Sequence, residues 1–306
     1  MLSLDSSYSY DKLSLKSYLN EIIIYRTPFE LQSKTVLFEI ESIDSSFIDS
    51  VAIDLESCKR IVFGNLVDGE YYLNIYTKHG NSNYYISYYQ PHSISLILKS
   101  GHFHFGNPSI LDHNRKVLGS IKDNKKALDY YLQPTYYFQS DSSMIIQLAR
   151  HITRFCITHD QKIQAIHDWV ADNIYYDKDA LNDGSYVSID NRALSVLERR
   201  RCVCVGYSYL GISLLRAAGV PTAGMNCYAL NITNDGGWDS PANVLGPANH
   251  ILTVAYNGER WIIMDITWDS DNVYEQGQYK KRVGRGVSRR YFDTTLEFIS
   301  NTHRLI

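Results

Sequence analysis

A thiol's chemistry depends on where the backbone puts it, and the run RRRCVCVGYSYLGISLLRAAGVP, from Arg199 to Pro221, sets a cysteine directly before a helix pattern. From Tyr207 to Ala218 the apolar Leu210, Leu214 and Leu215, with small Gly211 and Ala218, recur at three- and four-residue spacing. Gly219 followed by Pro221 supplies the stop. Cys204 thus falls just ahead of the first turn, where unpaired N–H groups and the positive end of the helix dipole stabilise a thiolate, the reactive form. Cys202 is the alternative nucleophile, and burial of both as small hydrophobes is the bland reading.

A reactive thiol needs a base, and the run NHILTVAYNGERWIIMDITWD, from Asn249 to Asp269, offers one. Asn257-Gly258 reads as a two-residue hairpin turn between the β-rich runs ILTVAY and RWIIMD. A regular two-residue loop pairs Tyr256 with Glu259 and sets His250 opposite Asp265. Directly opposed residues have Cβ atoms about 4.5–5.5 Å apart, within reach of a carboxylate that fixes the imidazole tautomer. Cys204, His250 and Asp265 then have the types of a nucleophile, a base and an orienting acid.

At this point the chain resembles the transglutaminase-like (papain-like) superfamily, whose bacterial members carry Cys-x-Gly-Tyr at a helix start, a strand beginning with His and a strand ending in Asp-x-Thr-Trp. Here these are Cys204-Val205-Gly206-Tyr207, His250, and Asp265-Ile266-Thr267-Trp268. The resemblance extends upstream to HDWVADNIYYD, read as helix, and downstream to RRYFDTTLEFISNTHRL, so it covers residues 142–306. Leu252 stands where the family often has Trp, and Arg201-Cys202-Val203 where it often has Gly-Val. The resemblance implies Cys204 as nucleophile, His250 as proton shuttle and Asp265 as its orienter. It further implies a thioester acyl-enzyme on a peptide or glutamine-carboxamide carbonyl, resolved by water in a protease or amidase or by an amine in a cross-linking transglutaminase. Hydrolysis is the expected outcome, since nothing marks an amine site. No cofactor or metal is expected, and a protein or peptide is the expected substrate. A binding or scaffold protein that retains the fold without turnover is the competing class. In animal-type members a tryptophan upstream of the cysteine helps the oxyanion. Trp169 holds such a place, although its position on a helical apolar stripe suits core packing. Tyr207, Trp238 and Trp169 are the further candidates for the substrate site.

The elements that position these residues fall in the second part of the chain. Asp141-Ser142-Ser143 opens a helix over MIIQLARHI, and Thr158 caps another in which Ile163, Ile166, Val170 and Ile174 form an apolar stripe. DNRALSVLERR is a third helix that delivers the chain to Cys204. Residues 231–248 form a long Gly-, Asn- and Pro-rich loop in which Trp238 either roofs the thiol or lies pinned to the surface. His167 reads as structural or exposed. The basic runs Arg199-Arg200-Arg201 and KKRVGRGVSRR read as solvated turns or as sites for an acidic partner.

Before Pro134 the pattern is β-rich. LNEIIIY, KTVLFEIESI, SVAIDL, KRIVFGNL, EYYLNIYT, NYYISYY and ISLILKS are short strand-like runs between turn clusters, and they suggest an antiparallel sandwich, immunoglobulin-like in type. His102 and His104 in GHFHFG can share one face of a strand, as metal ligands or as solvent-facing side chains. The 25 tyrosines suit half-buried sheet faces or a glycan or peptide platform. The expected architecture is α+β, with a sandwich over 1–138 and a transglutaminase-like domain over 139–306 that packs helices on an antiparallel sheet.

Composition bounds the rest. At 306 residues, 44% hydrophobic and 21% charged, the chain can bury two cores. A net charge of −3 gives no bulk attraction to nucleic acid or membrane. No apolar run approaches the roughly 18 residues of a spanning helix. MLSLDSSYSYDKLSLK has neither a basic start nor a sustained apolar stretch, so no signal peptide is read. Five cysteines at scattered positions form no disulfide framework, and a cytoplasmic, reducing compartment is expected.

Overall fold

The computed structural model of the protein describes residues 7–10, 13–26, 35–42, 46–78, 85–87, 94–105, 108–230, 248–282 and 286–306. Trp238 lies outside the described residues. The chain divides into two compact units. The first holds 1–118, 229–246 and 295–304, and the second holds 119–228, 247–294 and 305–306.

Among the described residues the first unit begins with ten strands: β1 (Ser7–Tyr10), β2 (Leu13–Tyr18), β3 (Glu21–Arg26), β4 (Thr35–Ser42), β5 (Ile48–Asp54), β6 (Arg60–Val62), β7 (Gly69–Lys78), β8 (Tyr85–Ser87), β9 (Ile94–Lys99) and β10 (His102–Phe105). They form two antiparallel sheets, ordered β1-β2-β3-β6 and β10-β9-β7-β4-β5, with β8 on β7. Alternation explains their burial: Val36, Phe38 and Ile40 of β4 and Tyr71, Leu73 and Ile75 of β7 point into the core, and their neighbours stay partly exposed. Leu15, Ile22 and Ile24 do the same for the other sheet. The Phe103 N–H of β10 donates to the Leu19 carbonyl at 2.8 Å, so the sheets meet as the expected β-sandwich. The seven anticipated runs correspond to β3–β9; β1, β2 and β10 are additional. Half-buried tyrosines reach polar partners, as Tyr76 donates to Glu39 Oε1 at 3.0 Å. His102 and His104 alternate with the buried Phe103 and Phe105, so they share the outward face of β10.

Helices start earlier than Pro134. α1 (Pro108–Gly119) and α2 (Lys125–Tyr130) precede it; α1 carries Ile110, Leu111, Val117 and Leu118 on one face, and the six-residue α2 is too short to show a stripe. The second unit then runs α3 (Ser143–Ile152), α4 (His159–Asn173), β11 (Tyr175–Asp177), α5 (Lys178–Asp183), α6 (Ala193–Arg199), β12 (Arg201–Cys202), α7 (Cys204–Ala217), β13 (Thr222–Ala229), β14 (His250–Tyr256), β15 (Trp261–Met264), α8 (Ile266–Asp269), β16 (Val273–Glu275) and β17 (Gln278–Lys280). Last come α9 (Leu296–Ile299) and β18 (His303–Leu305). The HDWVADNIYYD run is helical only to Asn173. Ile174 is extended, and Tyr175 enters β11.

Thr158 caps α4 through a reciprocal box with Gln161. The α4 stripe, Ile163, Ile166, Val170 and Ile174, is fully buried against Leu210, Leu214 and Leu215 of α7 and Met264 and Ile266 beyond β14. Almost every residue of α7 from Gly206 to Arg216 is buried, so α7 is the axis of this unit. Around it stand an antiparallel sheet, β15-β14-β13, and a second sheet, β12-β11-β16-β17, whose β11/β12 and β11/β16 pairs are parallel. That parallel element was not anticipated, because its partners are distant in sequence. Among the described residues no helix is long and apolar enough to cross a membrane.

Candidate functional site

Cys204 is the first residue of α7, one position further into the helix than the apolar spacing indicates. Val203, in the N-cap position, offers no side-chain acceptor, so the first turn keeps unclaimed N–H groups next to the thiol. Close packing sets the angle of the helix here. A Cβ on Gly206 would stand 2.4 Å from Cys202 Cβ and 2.9 Å from Val196 Cγ2, so only glycine lets α7 start this close to β12 and α6. Cys202 is 2% exposed, and burial pushes its thiol well above the ordinary value. Cys204 is only partly buried, so of the two thiols it is the one that solvent can reach.

The hairpin that carries the imidazole has a different register from a two-residue turn. Tyr256 pairs with Trp261 and Thr253 with Met264, so residues 257–260 form a four-residue loop. Asn257 is the reason: its Oδ1 accepts from the N–H groups of Glu259 and Arg260, each at 2.9 Å, and its own N–H donates to the Arg260 carbonyl. His250 therefore does not sit directly opposite Asp265. A shift of two residues preserves the face of a strand, so the two side chains remain on the same side and meet diagonally. His250 Nε2 lies 2.6 Å from Asp265 Oδ2.

Asp265 is fully buried and doubly fixed. As N-cap of the four-residue α8 it accepts the Trp268 N–H on Oδ1 at 3.1 Å and holds His250 with Oδ2. Its own N–H donates to the Tyr291 carbonyl at 2.9 Å. Cys204 lies close enough to His250 to bear on the charge of its ring. Burial disfavours the His250 imidazolium, but the Asp265 charge, its hydrogen bond and Cys204 outweigh that cost and push the pKa up to about 10. The arrangement can move a proton between sulfur and imidazole while a carboxylate holds the ring.

Other anticipated residues have different places. Tyr207 is fully buried, and its hydroxyl donates to the Ile174 carbonyl at 3.0 Å, so it ties α7 to the end of α4 and lines no open site. Trp169 packs on the helical core with the Arg200 guanidinium 5.3 Å from its ring centre. Arg201 pairs with Asp177 and lies over Tyr274. In the second basic run Lys280, Lys281, Arg282 and Arg289 pair with Glu275, Asp172, Asp271 and Asp168 respectively. These cations are used locally.

Tyr176 escaped the sequence reading, and His167, read as structural or exposed, is structural with partners that the reading did not supply. Tyr176 of β11 pairs with Cys202 across the parallel strands, and its phenol lies in the electrostatic field of Cys204, Cys202 and Asp265. Burial first, and then those groups, push its pKa up, so it stays a neutral O–H donor. His167 is fully buried between two carboxylates, with Nδ1 3.0 Å from Asp168 Oδ1 and Nε2 3.0 Å from Asp269 Oδ2. A partner about one hundred residues away in sequence left no local signal.

A helix-start thiol near a strand-borne imidazole and a buried carboxylate, in an α+β unit, has the residue types that thiol-nucleophile chemistry uses. Residues 146–266 match the family described as Transglutaminase-like superfamily, and Cys204, His250 and Asp265 all fall in that span. The resemblance read from the three motifs is thus a resemblance to this superfamily over that stretch. No curated protein matches the chain. Two solved structures are similar in part. A putative cysteine protease from Cytophaga hutchinsonii is 27% identical over 47% of this chain and 43% of its own, with a TM-score of 0.36. A putative protease from Parabacteroides distasonis is 14% identical over 74% of this chain and 36% of its own, with a TM-score of 0.29. The chain spans less than half the length of either.

Proposed function

We propose that the protein is a cysteine-dependent acyl-transfer enzyme that cleaves peptide or glutamine-carboxamide bonds, with Cys204 as nucleophile, His250 as proton shuttle and Asp265 as the orienting carboxylate. The observation that carries this reading is the buried His250–Asp265 pair, with Nε2 2.6 Å from Oδ2, on a strand packed against the helix that Cys204 begins.

With the Cys204 proton already passed to His250, sulfur attacks the carbonyl carbon as a thiolate beside the imidazolium, and the carbonyl electron pair moves onto oxygen. The backbone N–H groups at the uncapped start of α7 meet that oxyanion, and the neutral Tyr176 hydroxyl is the side-chain donor nearest in character. Collapse breaks the C–N bond, and the imidazolium protonates the departing amine or ammonia. The thioester left on Cys204 then meets water, His250 takes the water proton, and the acid departs as sulfur is reprotonated. Neither half needs a cofactor. The partner implied is a peptide or protein chain that offers an amide, and a cytoplasmic setting would keep the thiol reduced.

A panel of glutamine-containing peptides, assayed for ammonia release and for cleavage with wild type and Cys204→Ala, tests the proposal. Release by wild type and none by the variant is expected. If Cys204→Ala turns over as wild type does, the thiol mechanism is wrong. Adding a primary amine decides the second half: transfer faster than hydrolysis would make the protein a cross-linking enzyme.

A further inference from the structure

The site rests on α8, and α8 cannot hold itself. A helix of four residues is far below the roughly 12–15 residues at which isolated helices become even marginal. Its place must come from tertiary ties, and those ties are polar and buried. Asp265 caps one end and Asp269 closes the other, four residues apart and so on one face, with the Asp269 N–H donating to the Asp265 carbonyl at 3.2 Å. Asp265 holds His250. Asp269 holds the second imidazole, His167 of α4, and accepts from Ser288 Oγ at 2.9 Å and from the Tyr291 N–H at 3.1 Å. The Tyr291 peptide unites the two ends, since its carbonyl accepts the Asp265 N–H while its own N–H donates to Asp269.

A buried ionic cluster of this kind is seldom the cheapest way to stabilise a core, because apolar residues of the same volume are often neutral or better. His167 is at 0% exposure, Asp269 at 1%, and the Phe292 ring lies 4.8 Å from the imidazole. On the far side Asp168 accepts from His167 and also holds Arg289 Nε at 3.0 Å. With a carboxylate at each nitrogen, the ring meets both as a donor only in its doubly protonated form.

We infer that His167 is a positioning residue for the proposed catalytic site: clamped between Asp168 and Asp269, it fixes α8 so that the Asp265 carboxylate meets His250 Nε2. The inference rests on the proposed roles of Cys204, His250 and Asp265, and goes beyond them by assigning their geometry to a second His–Asp pair. A site of this type tolerates displacements of only about 0.5 Å, so a loosened α8 degrades the His250 partnership without removing any reacting group. Every charged group that faces His167 has a part: Asp168 from α4, Asp269 from α8, and Arg289, which keeps Asp168 ionised.

The test compares wild type, His167→Leu, His167→Gln and Asp269→Asn in the full chain, with folding checked by near-ultraviolet circular dichroism. The first readout is the downfield imidazole N–H proton resonance of His250, identified by its loss in His250→Ala. The second is the rate of Cys204 alkylation by iodoacetamide as a function of pH. His167→Leu is expected to shift or abolish the resonance and to slow labelling near neutral pH roughly tenfold, as losing about one pKa unit of support for the imidazolium would. His167→Gln, whose amide can still donate to Asp269, recovers much of both, which a purely structural contribution would not require. Asp269→Asn keeps the shape and supplies the readout should His167→Leu not fold. A resonance and a labelling profile that superpose on wild type in folded His167→Leu or Asp269→Asn overturn the inference. If wild type and His250→Ala label alike, the proposed mechanism falls, while the His250 resonance still reports directly on the positioning.

Discussion

At the scale of single residues, His250 works under two opposed demands, since burial favours the neutral ring and Asp265 favours the charged one. The carboxylate prevails, and the raised pKa has a consequence for stability. A group whose folded pKa exceeds its unfolded value stabilises the fold fully below the unfolded value, about 6.5 for histidine. That contribution falls as pH rises and is gone above the folded value of about 10. The melting temperature of wild type minus that of His250→Ala is therefore expected to shrink between pH 6.5 and 10 and to be largest below that window. A difference that stays flat across it would mean the carboxylate does not hold an imidazolium. Burial acts the other way on Cys202: sealed under Gly206, its thiol resists deprotonation.

At the scale of elements, the start of α7 is set by what it lacks. Gly206→Ala removes the roughly 1 kcal/mol handicap of a glycine inside a helix. It also drives a methyl into Cys202 and Val196, and overpacking of that kind costs about 1–3 kcal/mol. With contacts as close as 2.4 Å against side chains that are themselves buried, the clash prevails, so urea unfolding should find Gly206→Ala less stable than wild type. How far such elements are legible in the sequence depends on how local their causes are. The helix start at Cys204 is written in adjacent residues. The hairpin is written in Asn257-Gly258, but its loop is set by the Asn257 side chain, which slides the register by two while preserving the face. Tyr176 is invisible to that reading, because it comes near Cys204 through a parallel pairing with Cys202 that no turn announces. His167 is legible as a structural side chain but its partner is not, since an isolated histidine on an apolar helix face gives no hint of Asp269. In the first unit β1 and β2 are missed because SYSY and LSLKSY are short and polar.

At the scale of the whole molecule, the two units do not follow one another along the chain. The first unit takes residues 295–304 from far downstream, and the fully buried Asn114 shows how they are used. Its amide donates to Ser300 Oγ at 2.9 Å and to the His303 carbonyl at 2.8 Å. Asn114→Ala deprives both buried acceptors of that donor, which typically costs about 1–3 kcal/mol. A melting temperature several degrees lower, with no change in the pH dependence of Cys204 labelling, is the expected result. An unchanged melting temperature would mean the downstream segment adds little to the first unit.

The same interleaving bears on how the protein comes off the ribosome. Chains usually fold unit by unit as they emerge, at about 5–20 residues per second. Here the described strands β1–β10 are made early, but the first unit must wait through some 190 further residues for the segment that begins at Thr295 and that Asn114 grips. During that interval β1–β10 are translated but incompletely buried, so the nascent chain carries an open sheet system for many seconds. The first unit is therefore completed only after residues 119–294 have been translated, and slower translation lengthens the interval in which its sheets lack that segment.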